Sequence, residues 1–278
     1  MCGIVAFTGE RDDRLLARLT DAVAHRGPDD AGHAAFDACS LGHRRLSIID
    51  LSSGHQPLST PDGRFTIIYN GELYNYRELR AQLSGYRFRT RSDTEVILAA
   101  YATWGMDAVE RFNGMWAFAI WDQRERTLFL SRDRYGIKPL YLTRNGERWV
   151  VASEVKAFLS LPGFRPRVDD QTLIETLTFR FPPGDATVFA GVRRLPPGTN
   201  ALVRNGKMTQ HRYFTPRWEY REQNEDDVQQ QVTRLLDAAV ERHLIADVPV
   251  GLFLSGGMDS SLLTAIVAAA HPTPKTFT

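Results

Sequence analysis

A cysteine directly behind an initiator methionine places a thiol where methionine removal would also free an α-amine on the same residue. At Cys2 the two groups have reference pKa values near ~8.5 and ~7.7–8.0, close enough for the amine to take the thiol proton near neutral pH. Nucleophile and base would then come from one residue. A lone cysteine at this position is more often an ordinary first-strand residue, so the neighbouring motifs decide. Acyl transfer to a thiol also needs donors for the tetrahedral oxyanion. An amino-acid substrate adds a carboxylate clamp and an ammonium clamp. Asn70-Gly71-Glu72, after the strand-like FTIIY, offers a side-chain amide and a glycine N–H; taken alone, Asn-Gly more often marks a hairpin turn. Arg45, in HRRLSIID, has the planar fork suited to a carboxylate. Strand alternation points Arg44 and Arg45 to opposite faces, so only one can serve, and a solvated arginine pair is the plainer reading. Asp93, in RSDTE, can receive an ammonium group or simply supply negative charge at a helix N-terminus.

Near the other end stands Ser255-Gly256-Gly257-Met258-Asp259-Ser260, between the apolar run VPVGLFL and the helical LLTAIVAAA. It lacks the lysine of a Walker loop and the spacing of GxGxxG. Strand, glycine turn and helix open an α/β nucleotide domain, in which backbone N–H groups, hydroxyls and the helix N-terminus surround an anion. For the hexapeptide alone, a Gly-Gly turn with a Ser/Asp helix cap is the better reading.

These residues need elements to position them. Up to about residue 155, short β-like runs alternate with turn residues: CGIVAFTG, LGHRRLSIID, RFTIIYNGELYN, MWAFAIWD, RTLFLSRD and RWVVASE. The pattern predicts stacked sheets. Helices are predicted at Tyr76–Gln82 and Asp93–Trp104, the second with Val96, Ile97, Ala100 and Tyr101 on one face and Ser92 as cap. Turns are predicted at Pro61-Asp62-Gly63 and Asn145-Gly146, the latter a hairpin. Proline and glycine crowd together over 181–198, where the chain turns over a surface. The polar stretch 217–227 lacks periodicity and reads as a linker. Val228, Val232, Leu235, Leu236, Ala239, Val240 and Leu244 then form one apolar helical stripe before VPVGLFL, a buried-strand run.

A length of 278 residues suggests about two domains. With 34 basic against 33 acidic residues the net charge is +1, too small to draw the whole chain to nucleic acid or an anionic membrane. Cys2 and Cys39 exclude a disulfide framework and make a poor metal set. His25, His43 and His55 lack metal-ligand spacing, so no metal site is expected. Cys39, in a small and apolar run, reads as an inert buried thiol. Neither a leader nor an apolar run of the ~18 residues a spanning helix needs is present, so a soluble protein of the cytoplasm is expected.

CGIVAF, HRGPDD, LGHRRLSIID, IIYNGELYNYRELR, RSDTEVIL, FNGMWAFAIWD, SRDRYGIKPLY and SEVKAF occur in the order, and at the natural spacing, of the N-terminal glutaminase domain of the asparagine synthetase family. The chain resembles these class II glutamine amidotransferases over about residues 2–215, and the resemblance continues into SGGMDSS. It implies an α+β fold, the four-layer αββα sandwich of N-terminal nucleophile enzymes. By resemblance Cys2 attacks the side-chain amide of glutamine, and Asn70 and Gly71 form the oxyanion hole. Arg45 binds the α-carboxylate, Glu72 and Asp93 hold the α-ammonium, and Leu46, Ser47, Ile48 and Ile49 line the pocket. HRGPDD is assigned a structural role beside it.

The SGGMDSS segment resembles the pyrophosphate loop of ATP pyrophosphatase domains, with Met258 in place of a more usual leucine. Leu254, Ser255, Gly256, Gly257, Asp259 and Ser260 would then bind ATP assisted by Mg²⁺, while the glutaminase half needs no cofactor. The implied organisation is a glutaminase domain at 2–215, a linker at 216–227 and the beginning of an ATP-binding domain at 228–278, incomplete because its further strands and acceptor pocket are missing. Glutamine, ATP and aspartate or another carboxylate are the implied small-molecule partners, without nucleic acid or membrane, and a homodimer is compatible. As given, the chain should retain only the glutaminase half. Two other readings stay open: an amidotransferase of the same plan acting on a different carboxylate, and a non-catalytic glutamine-binding module.

Overall fold

Alternation along the first strand, β1 (Gly3–Thr8), sets the layering. Val5 and Phe7 pack with Leu15, Leu16 and Leu19 of helix α1 (Asp13–Ala22), whereas Ile4 and Ala6 enter a second core with Leu41, Ile68, Ala119 and Leu130. All of β1 is buried, so it lies between layers. The computed structural model describes residues 1–271 and 273–278, in two units, Met1–Thr215 and Pro216–Thr278.

After α1 the first unit continues through β2 (Asp30–Ala35), β3 (Cys39–Arg45), β4 (Leu58–Ser59), β5 (Phe65–Leu73), α2 (Tyr76–Gln82), α3 (Asp93–Trp104), β6 (Gly114–Asp122) and β7 (Thr127–Arg132). It ends with β8 (Tyr141–Asn145), β9 (Arg148–Ala152), α4 (Asp170–Phe179), β10 (Val192–Arg194), β11 (Thr199–Arg204) and β12 (Lys207–Arg212). Two six-stranded sheets result, ordered β10-β8-β9-β1-β3-β2 and β12-β11-β7-β6-β5-β4. Helix α1 covers the outer face of the first. On the outer face of the second, Tyr101 of α3 stacks on Phe129 at 4.9 Å and meets Phe65 edge-on at 5.3 Å. The layers are helix, sheet, sheet and helix, the αββα sandwich that the resemblance implies and whose two stacked sheets the strand pattern predicts.

Local signals account for most elements. Ser92 accepts from Glu95 N at 3.3 Å and starts α3, and Asp12 accepts from Leu15 N at 2.9 Å to start α1. The strand-and-turn reading of this region does not include α1 or α4. The predicted hairpin joins β8 to β9, with Asn145 still paired to Arg148 and Gly146 taking the positive φ of 60°. LGHRRLSIID is strand only as far as Arg45. Beyond it Arg45 binds the carbonyls of Ile49, Asp50 and Leu51, bending 46–51 into a loop.

The second unit contains α5 (Glu225–His243), β13 (Gly251–Phe253), α6 (Met258–Ala270) and β14 (Lys275–Phe277), with β13 and β14 paired in parallel. The expected linker ends earlier than residue 227. Glu225, Asp226 and Asp227 form the first turn of α5, capped by Asn224, because acidic side chains are favoured at a helix N-terminus. VPVGLFL is not a buried strand: Phe253 is 87 % exposed, since β13 has only β14 beside it. The stripe on α5 is likewise uncovered, with Leu235 60 % exposed. No helix among the described residues is long and apolar enough to cross a membrane.

Leu16 lies fully inside the layer between α1 and the first sheet. Leu16→Ala should lower stability by about 2–5 kcal/mol in urea unfolding; a loss within about 0.5 kcal/mol, the range of surface changes, would contradict this layering.

Candidate active site

The site begins at a gap in the second sheet. Strand β4 pairs only with Thr66 and Ile67, so residues 69–73 of β5 have β6 on one side and no strand on the other. Asn70 and Gly71 are ladder residues opposite Ala117 and Trp116, which removes the hairpin-turn reading. On the open edge, Tyr69 N donates to Gln56 Oε1 at 2.7 Å and Leu73 N donates to Asp93 Oδ2 at 3.0 Å. By the two-residue period of a strand, the Gly71 N–H leaves the same edge between them. Asn70 Nδ2 is buried and has no partner among the described residues. Two N–H donors therefore stand uncommitted on the wall of one cavity, which Cys2 also lines. A Cβ at Gly71 would fall 2.2 Å from Met115 O and 2.5 Å from Tyr69 Cε2, so only glycine fits there.

Cys2 reaches the cavity from the start of β1. Its Sγ lies 3.7 Å from Leu46 O and 3.4 Å from Leu46 N. Burial pushes the thiol above its ordinary pKa, against the pull of the Leu46 backbone hydrogen bond and the neighbouring α-ammonium. Burial also lowers the pKa of the Met1 α-ammonium, easing loss of its proton. Cys39 is enclosed between the sheets, where burial pushes its thiol far above the usual range.

Opposite charges occupy the rest of the wall. Arg45 points into the cavity, whereas Arg44 bonds Thr20 O and Asp21 on α1, as strand alternation requires. The Arg45 guanidinium donates to Ile49 O at 3.0 Å, Asp50 O at 2.6 Å and Leu51 O at 3.3 Å, while Nε makes no hydrogen bond among the described residues. Asp93 is buried at the first residue of α3, so it meets both of its readings: helix N-terminus and cavity wall. Burial raises its pKa, and its bonds to Leu73 N and Tyr69 OH oppose the rise. Glu72 is pushed up to about 7 by burial and by Asp93, with Lys138 opposing. A cavity with a guanidinium and two reluctant carboxylates suits a zwitterion whose ammonium offsets the acidic pole. Leu46, Ile48 and Ile49 line it; Ser47 does not, and its backbone N–H is instead held by Asp29 Oδ2 at 2.8 Å.

The HRGPDD segment fixes these parts. Arg26 Nε donates to Cys2 O at 2.9 Å and Arg26 pairs with Glu154 at 2.9 Å; Asp29 N donates to Arg45 O at 3.0 Å. His25 binds Glu154, His55 binds Asp30, and His43, held down to about 4 by burial, lies against Tyr69 O. Gln56, Lys138 and Gly54 are site residues that motif reading misses. Gln56 carries no local signature, Lys138 lies in the SRDRYGIKPLY motif without a site role being read from it, and Gly54 matters because a Cβ there would fall 2.3 Å from Arg45 Nη2.

In the second unit, Leu254 to Gly257 join β13 to α6, and Asp259 and Ser260 stand in the first turn of α6. Ser255 Oγ lies 3.1 Å from Ser260 Oγ, Ser260 Oγ donates to Gly257 O at 3.1 Å, and Gly256 has φ +78°. All six residues singled out in sequence sit on this strand-to-helix turn, whose N–H groups and hydroxyls fit a phosphate. Among the described residues, no group of three or more His, Cys, Asp or Glu could hold a metal ion.

Residues 1–214 match the family model described as a glutamine amidotransferase domain, and residues 231–278 match the one described as asparagine synthase. The chain is 38 % identical over 288 residues to asparagine synthetase [glutamine-hydrolyzing] 1 of Bacillus subtilis (strain 168), covering 100 % of this chain and 45 % of that protein. It is 39 % identical over 297 residues to amidase chyE of Penicillium rubens (strain ATCC 28089 / DSM 1075 / NRRL 1951 / Wisconsin 54-1255), covering 96 % and 43 %. It thus spans about half the length of the curated relatives it matches. A solved allosteric regulatory enzyme of purine biosynthesis superposes with a TM-score of 0.60 at 20 % identity, covering 77 % of this chain and 50 % of that one. Glutamine phosphoribosylpyrophosphate amidotransferase from B. subtilis, complexed with ADP and GMP, superposes at 0.57 and 18 % identity, covering 99 % and 65 %. At such identities these two show the fold alone.

The different settings of the two thiols predict selective chemistry. Iodoacetamide at about pH 8.5, near the reference thiol pKa, should alkylate Cys2 in the native chain and reach Cys39 only after unfolding, as read by peptide mass mapping. Equal labelling of both in the native state would contradict the burial of Cys39.

Proposed function

This chain belongs to the glutamine amidotransferase domain family, and from that premise we propose that its first unit hydrolyses glutamine to glutamate and ammonia with Cys2 as nucleophile. The observation that carries this reading is the pair of uncommitted donors, Asn70 Nδ2 and the Gly71 N–H, beside the thiol on one cavity wall. With Met1 removed, the Cys2 α-amine takes the thiol proton and Sγ attacks the side-chain amide carbon of glutamine. Negative charge moves to the amide oxygen, where Asn70 and Gly71 receive it. The amine returns the proton to nitrogen, ammonia leaves, and a thioester remains. Water, deprotonated by the same amine, then adds to the thioester and releases glutamate and the thiol. Arg45 takes the α-carboxylate of glutamine while Leu46, Ile48 and Ile49 enclose its chain. Glu72 and Asp93 hold the α-ammonium, a positive charge that restores the ionised form burial disfavours.

For the longer protein we extend this to glutamine-dependent asparagine synthesis in the cytoplasm. Leu254, Ser255, Gly256, Gly257, Asp259 and Ser260 would hold the phosphates of ATP. ATP with Mg²⁺ supplies activation of the acceptor carboxylate, which ammonia then converts to an amide. Relatives named asparagine synthetase support aspartate as acceptor. The equal identity to a relative named amidase keeps a second reading alive, the same plan acting on another carboxylate. Both readings share the glutaminase step.

The test is ammonia release from glutamine by the chain and by Cys2→Ala, after mass spectrometry has located Met1. The chain should release ammonia, and Cys2→Ala should lose at least ~10³-fold, as expected for removal of a covalent nucleophile. Equal rates would refute the nucleophile; glutamine binding without release by the unaltered chain would make it a binding module.

A further inference from the structure

Lys138 enters the same cavity from a loop that supplies none of the residues assigned above. That loop follows β7 and is wrapped around one carboxylate: Asp133 accepts from the backbone N–H groups of Tyr135 at 3.1 Å, Ile137 at 2.9 Å and Lys138 at 3.0 Å. Arg132 Nε clamps the Lys138 carbonyl at 2.8 Å. With its backbone pinned on both sides, Lys138 is only 7 % exposed and lines the cavity with Cys2 and Glu72. Its ammonium makes no hydrogen bond and no ion pair closer than 4 Å among the described residues. A buried ammonium without a paired anion is strongly unfavourable, so its place calls for a compensating charge in the cavity.

Resting on the reading of this cavity as a glutamine site, we propose that Lys138, buried without a paired anion on the wall it shares with Glu72, is a positioning residue whose charge supports the Glu72 carboxylate as part of the ammonium clamp. The charges around Glu72 divide cleanly. Asp93, from α3, opposes its ionisation, and Lys138 favours it. The phenols of Tyr69 and Tyr74 stay neutral, pushed up by burial and by the carboxylates near them. Cys2 with the chain's α-amine, from β1, and Arg45, from β3, complete the wall, while Asp133 and Arg26 act on Lys138 from behind and partly offset each other. Burial pulls the Lys138 ammonium down, and Glu72 is the foremost group holding it up. The two residues thus support each other's charge from the wall of one cavity, without closing into an ion pair.

The sign of the effect follows. A protonated Glu72 cannot hold an ammonium, so glutamine capture fails as pH falls through the Glu72 pKa. Removing the positive charge at 138 raises that pKa and moves the acid limb upward. The experiment compares the chain with Lys138→Met and Lys138→Arg, checking each for a cooperative thermal melt. Lys138→Gln replaces the methionine variant if that one does not fold. Two quantities are read: kcat/KM for glutamine against pH, and the ¹³C titration of the Glu72 side-chain carboxyl without substrate, assigned by its loss in Glu72→Gln. In Lys138→Met both midpoints should rise by about one pH unit, the size of a single nearby-charge effect, and KM at pH ~6.5 should rise roughly tenfold with a smaller change in kcat. Lys138→Arg should restore both midpoints. An unmoved Glu72 midpoint in folded Lys138→Met, or a loss in kcat with the acid limb in place, would overturn the proposal. The titration is read whether or not glutamine turns over, so an inactive parent chain defeats the glutaminase reading while the coupling is decided on its own.

Discussion

Because β4 is only Leu58–Ser59 and covers no more of β5 than Thr66 and Ile67, the following stretch of β5 carries N–H groups that no strand takes up. An open sheet edge is ordinarily a hazard, since it pairs with any strand that arrives. Here the side chains of Gln56 and Asp93 satisfy the N–H groups at 69 and 73, leaving the one at Gly71 between them. The donor pair is thereby built into a rigid ladder with β6 rather than carried on a loop. Asp93 does two things at once: it closes the strand edge and forms the acidic wall of the cavity. A change in the length of β4 would cover the Gly71 N–H, and a side chain at 71 would collide with the Met115 carbonyl. Most of the site depends on that gap.

Around it, the cavity holds charges that burial alone disfavours. Glu72 and Asp93 are raised, Lys138 is lowered, and Arg45 donates to three backbone carbonyls. Asp50, in the middle of that carbonyl row, is itself fixed through its side chain by the N–H groups of Ser53 and Arg91 at 3.0 and 2.7 Å. Such a frame resists collapse when the cavity is empty and gains most from a ligand that is itself a zwitterion. Electrostatics and strand geometry therefore select the same class of molecule.

How much of this was legible in sequence depended on whether a residue's role was local. Helix α3 could be bounded because Ser92 caps it in the chain itself, and stacked sheets followed from the short strand-like runs, whereas the αββα layering came from the family resemblance. Cys2, Arg45 and Asp93 were found as residue types in motifs. The Asn-Gly pair was ambiguous, because nothing nearby in sequence says that β4 is too short to cover 69–73 and that 70–71 lie inside a strand. Gln56, Gly54 and Lys138 were missed for the same reason: their meaning comes from packing against distant segments. Ser47 was grouped with its neighbours although its side chain leaves the cavity wall. The buried-strand reading of VPVGLFL failed because apolar composition does not say how many strands will flank it.

The central claim is that Cys2, freed of Met1, is the nucleophile that recognises glutamine. It is tested most directly with a glutamine analogue carrying a diazoketone in place of the side-chain amide, followed by mass spectrometry of the tryptic peptide that begins at Cys2. The account predicts one adduct per chain on Cys2, in a peptide without Met1, and protection by excess glutamine. No adduct, an adduct on Cys39, or labelling that glutamine fails to prevent would contradict it.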